Sequence, residues 1–114
     1  AGGFVRRYLT KDTTGVDGLR GEEATFLVCT FWLADALCLA GREDEARQTY
    51  ERVLALRNDV GLLSEEYDAR QHRQIGNFPQ AYSHIGVVNT ASNLIAHGGG
   101  PAHQRSRMAA PHGR

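Results

Sequence analysis

Two adjacent carboxylates, Glu65 and Glu66, are the residues of this chain whose types and spacing most directly suggest chemistry. They occupy a short stretch without helical periodicity, followed by a polar segment and then an aromatic-rich apolar one. A carboxylate on a loop above a helical scaffold can activate water beside the oxocarbenium-like transition state of glycosidic-bond hydrolysis. Adjacent glutamates are more often solvated surface residues, so the pair alone leaves both interpretations open.

The elements around this pair are expected to be helices of two kinds. Residues 25–40 are apolar except at three positions, which predicts a helix that is buried on nearly all sides and is capped by Gly41. Residues 43–57 instead carry one apolar stripe with charged residues opposite, which is typical of a surface helix. The stripe comprises Ala46, Tyr50, Val53 and Leu54. This alternation indicates the inner and outer layers of a helical barrel or solenoid.

A third helix is predicted over residues 79–96, with Asn77 as its N-cap and Pro79 in its first turn. Its apolar positions make it a second inner helix. The remaining sequence is rich in Gly, Pro, Ala, Arg and His and has no apolar periodicity, which predicts disorder. The expected organisation is therefore one helical domain over residues 1–96 and a tail over residues 97–114.

Three blocks of sequence follow one another in an order and spacing that match a known family. They are Thr25-Phe-Leu-Val-Cys-Thr-Phe-Trp-Leu-Ala-Asp-Ala-Leu37, Leu62-Leu-Ser-Glu-Glu-Tyr-Asp68 and Gly76-Asn-Phe-Pro-Gln-Ala-Tyr-Ser-His-Ile-Gly86. From about Gly3 to Ala96 the chain resembles the C-terminal part of glycoside hydrolase family 15, the glucoamylase-like family that in bacteria also includes trehalases. The resemblance implies an inverting α-glucosidase built on an (α/α)6 toroid. This chain would be an all-α part of that toroid, with alternating inner and outer antiparallel helices.

The resemblance also implies roles for individual residues. Glu65 matches the first glutamate of the family's Ser-Glu-(Glu/Gln) element, where that residue is the catalytic base. Arg7 and Tyr8 resemble the family's Arg-Tyr pair, whose arginine hydrogen-bonds sugar hydroxyls through its fixed set of donors. Independently of the resemblance, aromatic faces pack on the apolar faces of pyranoses, so Trp32, like Phe26 and Phe31, is a candidate for stacking on a sugar ring. Glu66 would lie beside the base among the substrate-binding residues. A surface or structural role for Arg7 and Glu66, and a core role for Trp32, remain open.

One half of the chemistry has no match in this sequence. Inversion requires a general acid across the scissile bond from the base, with the two carboxyl groups roughly 6.5–9.5 Å apart. No segment resembles the family's acid motif, and nothing marks the remaining candidates, which are Asp12, Asp17, Glu22 and Glu23. The chain, which opens mid-motif without an initiator Met, is therefore expected to be a piece of a longer enzyme and inactive alone.

No metal or cofactor is expected. His84 lies within the third block, but no second ligand stands at metal-binding spacing, so a hydrogen-bonded core histidine is the prediction. Cys29 and Cys38 are nine positions apart on one predicted helix, roughly 13 Å, which is too far for a disulfide. Free thiols suit a reducing compartment, so a cytoplasmic location is expected.

The composition limits the classes of binding partner that are expected for this chain. Its 114 residues make one small domain at most, and a formal net charge of zero gives no reason to expect nucleic acid. No apolar run approaches the roughly 18–20 residues that span a bilayer, so no membrane association is expected. The expected partner is an α-glucoside or oligosaccharide, whether maltooligosaccharide, isomaltose-type or trehalose. Apolar inner helices of an incomplete ring would also favour self-association.

A different class of protein competes with this interpretation. Residues 33–56 also resemble a tetratricopeptide helical hairpin, which is a partner-binding module. That fold requires about three stacked repeats of 34 residues. A shift by that length places the first helix on the segment around residues 61–68, so no repeat is visible. A purely structural remnant of a glycosidase is a third alternative that stays open.

Overall fold

A computed structural model of the protein describes residues 3–6, 24–96 and 100–101. Three helices, α1 (Leu27–Leu39), α2 (Glu43–Leu54) and α3 (Ala81–Ile95), make up most of this part of the chain. Three short strands, β1 (Thr25–Phe26), β2 (Glu66–Asp68) and β3 (Arg73–Ile75), form one antiparallel sheet in the order β1-β2-β3. The described part is therefore mostly helical, with a small sheet beside the helices.

Helix α1 lies at the centre of the fold and packs against both α2 and α3. Its fully buried Leu27 and Phe31 form a core cluster with Val53 of α2 and with Leu63 of the loop that follows α2. Five partly buried side chains pack around this cluster, namely Phe4, Tyr50, Leu56, Tyr67 and Val87. The predicted inner position of α1 relative to α2 is consistent with this arrangement.

The junction between α1 and α2 follows the predicted cap. Gly41 has a φ of +75°, a left-handed conformation that glycine adopts without steric cost. Its N–H donates to the carbonyl of Cys38 at 3.1 Å, and the N–H of Arg42 donates to the carbonyl of Leu37 at 2.9 Å. These two bonds are the Schellman pattern, which satisfies carbonyls that the helix end would otherwise leave without donors.

Helix α2 has the predicted amphipathic pattern. Ala46 and Val53 are buried and Tyr50 and Leu54 are half-buried, so the apolar stripe faces the rest of the fold. The first turn holds Glu43, Asp44 and Glu45, where negative charge interacts favourably with the helix dipole. The hydrogen bond from Arg42 holds the pKa of Glu45 below its ordinary value.

Helix α2 ends three residues before the predicted boundary at 57. The N–H groups of Leu56 and Arg57 bond to carbonyls three residues back, which closes the helix with a tighter turn.

The prediction of an all-α chain was wrong in one respect, the sheet. Thr25 and Phe26 were assigned to the first helix, but they pair with Tyr67 and Glu66 of β2. The Thr25 hydroxyl also donates to the Tyr67 carbonyl at 2.8 Å. Because these two residues are held in an extended conformation, α1 begins at Leu27 instead of at residue 25.

The predicted start of the third helix was also wrong. Asn77 is not an N-cap, because its backbone N–H and carbonyl are both bonded to Glu65. Pro79 follows a cis peptide bond with Phe78 and precedes the helix. Gln80 is still extended (φ −101°, ψ 121°), and its N–H donates to the carbonyl of Leu63 at 2.9 Å. Helix α3 therefore begins at Ala81.

The prediction that α1 is buried on nearly all sides does not hold within the described part of the chain, where α3 also exposes apolar side chains. Large apolar side chains on both helices are exposed, up to 58% for Trp32 and 74% for Ile95. The other exposed members are Leu33, Leu39, Tyr82, Ile85 and Val88. We call this set the apolar face.

None of the helices in the described residues is long and apolar enough to cross a membrane.

Cys29 and Cys38 form no disulfide with each other, in agreement with their predicted separation, and burial raises the pKa of the Cys38 thiol. Several sequence-based predictions fall on parts of the chain that lie outside the described residues. These are the substrate-binding pair Arg7 and Tyr8, the four carboxylates Asp12, Asp17, Glu22 and Glu23, and the tail except for Gly100 and Pro101.

Candidate active site

Residues 62–66 cross the N-terminal ends of α1 and α3, and we call them the base segment. Leu63, which is 1% exposed, is tied to α3 through both of its backbone polar groups. Its N–H donates to Nε2 of His84 at 3.3 Å, and its carbonyl accepts the N–H of Gln80 at 2.9 Å. The chain immediately before the two glutamates is thus fixed to the first turn of a helix.

Ser64 is 1% exposed, and its N–H, hydroxyl and carbonyl are all hydrogen-bonded. Its N–H donates to Oε1 of Gln74 at 2.5 Å, and its hydroxyl donates to the Glu66 carbonyl at 2.6 Å. Its carbonyl accepts the hydroxyl of Ser83 on α3 at 2.7 Å. Because buried polar groups are costly when unpaired, this set of bonds determines the path of the backbone here.

Glu65 is held from two sides. Its carbonyl accepts the N–H of Leu27 at 3.0 Å, and this N–H belongs to the first residue of α1, where the helix itself provides no acceptor. Its own N–H donates to the carbonyl of Asn77 at 2.9 Å. The side chain is half-buried, and its Oε2 accepts the backbone N–H of Asn77 at 3.2 Å. The carboxylate is therefore oriented by a backbone donor.

His84 is hydrogen-bonded through both ring nitrogens, as the sequence predicted, and it is half-buried. Its Nδ1 lies 2.7 Å from the carbonyl of Gln80, so Nδ1 must carry the proton and donate. Nε2 accepts the N–H of Leu63, so it must be unprotonated. The two bonds together select one neutral tautomer, and that tautomer links the first turn of α3 to the base segment.

Glu66, expected among the substrate-binding residues, is a member of β2. It pairs with Phe26 on one side and with Ile75 on the other, and its side chain is half-buried. Beyond β2, the turn into β3 is closed by Asp68, whose Oδ1 accepts the N–H groups of Arg70 and Gln71. The bonds from Gln71 and then Arg70 hold the pKa of Asp68 below its ordinary value.

An open groove of about 440 Å³ lies between α1 and α3. It is lined by Val28, Trp32, Asp35, Tyr82, Ile85, Gly86 and Asn89. Trp32 therefore contributes to a concave surface, as expected of a residue that stacks on a sugar ring, whereas its neighbour Phe31 belongs to the core. Glu65 does not line this groove.

Several residues that hold these elements in place were not predicted from the sequence. At the base segment they are Ser64, Gln74, Gly76 and Ser83, with Asn77 assigned to the wrong role. Along the groove, the buried Asp35 accepts a hydrogen bond from Nδ2 of Asn93 at 2.7 Å, linking α1 to α3. One sequence feature could have indicated the contacts at the base segment: the second and third blocks are separated only by a short polar segment, which is typical of a hairpin.

No group of three His, Cys, Asp or Glu side chains suited to a metal ion is present within residues 3–6, 24–96 and 100–101. The arrangement around Glu65 offers instead a carboxylate acceptor on a fixed backbone, beside two helix N-termini.

Comparison with known sequences assigns this arrangement to a family. The profile of glycosyl hydrolases family 15 matches residues 1–92, which include the base segment and most of all three helices. The chain belongs to glycosyl hydrolases family 15. The resemblance that the three blocks predicted is thereby confirmed, including its glycosidase character.

Several curated relatives of the family 15 chain are named trehalases. The trehalase of Mycolicibacterium smegmatis is 41% identical over 93 residues, which cover 82% of this chain and 14% of that protein. The trehalase of Thermoplasma volcanium is 46% identical over 91 residues, 80% of this chain and 15% of that protein. Trehalase 1 of Sulfolobus acidocaldarius is 30% identical over 86 residues, 75% of this chain and 14% of that protein.

The chain thus spans about one-seventh of the length of these relatives. No solved structure matches it. The tetratricopeptide alternative gains no support, because a β-hairpin separates α2 from α3 where a further helical repeat would stand.

Proposed function

We propose that this chain forms the part of an inverting α-glucosidase that supplies the general base, Glu65, and that the whole enzyme hydrolyses trehalose. The observation that carries the proposal is the half-buried Glu65 carboxylate, held at the N-terminal ends of two helices within the family-matched region. Trehalose is favoured over other α-glucosides because the curated relatives are named trehalases.

The proposed step at Glu65 is proton abstraction from water. As water attacks the anomeric carbon, its proton passes to the Glu65 carboxylate, while a general acid on the opposite side protonates the departing glycosidic oxygen. One trehalose and one water give two glucose molecules, and the attacked carbon is inverted. We expect the acid to come from another part of the enzyme, because no segment of this chain resembles the family's acid motif.

The fold proposed for the whole enzyme is the (α/α)6 toroid that the family resemblance implies. Helices α1 and α3 would be inner helices whose N-terminal ends carry the base, and α2 would be an outer helix. The apolar face supports this proposal, because α2 exposes charged side chains while α1 and α3 expose large apolar ones. Such a face requires cover from further helices.

The substrate-binding residues are part of the same proposal. Trp32 and Tyr82 present aromatic rings at the groove, where they can stack on sugar rings. Arg7 would donate to sugar hydroxyls, with Tyr8 beside it, and Glu66 would support the site from β2. Cys29 and Cys38, which form no disulfide with each other, favour a cytoplasmic enzyme.

The proposal is tested in a chimera, in which residues 1–92 of this chain replace the aligned segment of the Mycolicibacterium smegmatis trehalase. We expect the chimera to release glucose from trehalose, and Glu65→Gln to lower kcat by about 100-fold to 10,000-fold, the usual contribution of a general base. The matched control is Glu51→Gln on the exposed side of α2. The 114-residue chain alone should release no glucose.

Two results would contradict the proposal. One is a Glu65→Gln chimera that folds and turns over trehalose as fast as the Glu51→Gln chimera. The other is glucose release by the isolated chain at a rate comparable to that of the chimera, which would show that it contains both catalytic groups. Circular dichroism of each variant establishes that any lost activity is not lost folding.

A further inference from the structure

The two oxygens of the Glu65 carboxylate have different surroundings. Oε2 accepts the backbone N–H of Asn77 at 3.2 Å. Within the described part of the chain, no donor is hydrogen-bonded to Oε1. A carboxylate that works as a base needs one oxygen directed at its water, and a hydrogen bond to the other oxygen restricts rotation of the group.

Gly76 makes this arrangement sterically feasible. A Cβ atom built on Gly76 would lie 3.1 Å from both Cβ and Oε2 of Glu65. Its backbone is also left-handed, with a φ of +79°, a conformation that favours glycine. The carboxylate therefore lies against the backbone at residues 76 and 77 because no side chain occupies that space.

We propose that Gly76 and Asn77 are positioning residues for the base. Asn77 holds Oε2 through its backbone N–H, Gly76 leaves room for the carboxylate to reach that donor, and Oε1 is the oxygen that takes the proton from water. The role is carried by backbone atoms, so the amide side chain of Asn77 is not part of it. This inference rests on the proposed function of Glu65 and adds how its carboxylate is oriented.

The chain contains a matched control for Gly76. Gly61 has a φ of +84°, and a Cβ atom built on it would meet nothing within 4 Å. Replacement by alanine therefore introduces the same kind of backbone strain at both positions, but only at Gly76 does the new methyl group meet the carboxylate. Effects of strain alone should appear in both variants.

The test compares Gly76→Ala with Gly61→Ala in the chimera defined above. We expect Gly76→Ala to lower kcat by about tenfold to 100-fold, as a misplaced catalytic group does, while KM for trehalose stays unchanged. Gly61→Ala should leave both parameters unchanged. Equal kcat values for the two variants would overturn the inference. If Glu65→Gln were still inactive in that case, the proposed function would stand.

A second measurement uses the intact 114-residue chain and does not depend on activity or on Gly76 variants. In amide hydrogen exchange followed by NMR, we expect Glu65→Ala to accelerate exchange of the Asn77 N–H by about tenfold or more, because the acceptor of this exposed bond is lost. Glu51→Ala is the control and should leave that rate unchanged. An Asn77 exchange rate that is the same in both variants would overturn the inference.

Discussion

The hydroxyl of Ser83 is predicted to be a main anchor of the base segment, and Ser83→Ala measures its contribution. Ser83 and Ser64 are both 1% exposed, so in Ser83→Ala water cannot readily reach the Ser64 carbonyl to replace the lost donor. Removing one partner of a buried hydrogen bond costs about 1–3 kcal/mol. Alanine is also a better helix former than serine by up to about 0.7 kcal/mol, which offsets part of that loss.

The variant Ser92→Ala separates the cost of the lost hydrogen bond from the gain in helix propensity. Ser92 is half-buried on the same helix, so it gains the same helix propensity without touching the base segment. The difference between the two variants should therefore be the full cost of about 1–3 kcal/mol. With an m-value of about 1.5 kcal/mol per M, the urea midpoint of Ser83→Ala should lie about 0.7–2 M below that of Ser92→Ala.

The assay is urea unfolding of the 114-residue chain, followed by circular dichroism at two protein concentrations so that self-association is recognised. Equal midpoints for the two variants would refute the reasoning, because they would mean that the bond to Ser64 adds no stability. A changed m-value would instead indicate an altered denatured state. The stabilities of the two variants would then be compared through the exchange rate of the Ser64 amide hydrogen.

Gly86→Ala should destabilise the chain by about 1–3 kcal/mol, because the new Cβ atom would lie 2.7 Å from the ring of the fully buried Phe31. In urea unfolding, adding Phe31→Leu should recover part of that loss, and strictly additive effects would contradict the contact. The pKa of Asp68 is depressed in the folded chain, so the contribution of its turn is present above the ordinary aspartate pKa and is lost as the pH falls. The protection of the Arg70 amide, measured as its exchange rate relative to the intrinsic rate at the same pH, should therefore fall at acid pH in the native chain but not in Asp68→Asn, which keeps the acceptor. Identical pH profiles of protection would count against this prediction. The apolar face should cause the isolated chain to self-associate in analytical ultracentrifugation, and Ile85→Glu should shift it towards monomer, whereas a monomeric native chain would disprove this.

The helices were predictable because their signals are local. The apolar run before Gly41 and the stripe on α2 specify two helices from sequence periodicity alone. Glu65 could be singled out only through the flanking blocks, since an isolated glutamate pair resembles any solvated surface. The family match confirms the blocks, and the role of Glu65 as a base stays a proposal.

The sheet was not predictable, because strands of two or three residues are too short to show an alternating pattern. Thr25 and Phe26 continue the apolar run of α1, and only their pairing with β2 removes them from the helix. Asn77 has the composition of an N-cap, yet its backbone is bonded to Glu65. At both places the conformation is set by tertiary hydrogen bonds and not by the local preference of the residues.

The groove could not be predicted for a related reason. Its walls come from two helices that are separated by more than forty residues, and the close approach between them depends on the contact of Gly86 with Phe31. The Asp35–Asn93 bond that links the same helices joins residues 58 positions apart. Pairings at such separations leave no mark in the periodicity of either helix.

The most direct test of the central claim, that Glu65 activates the attacking water, replaces that water with a nucleophile that needs no base. In the chimera, Glu65→Ala should hydrolyse α-glucosyl fluoride very slowly, and sodium azide should restore turnover, because the azide anion attacks without proton transfer. The carbon–fluorine bond breaks as the carbon–nitrogen bond forms on the opposite face, so the account predicts β-glucosyl azide and fluoride as products. A folded Glu65→Ala chimera that azide fails to accelerate, or one that yields α-glucosyl azide, would contradict it.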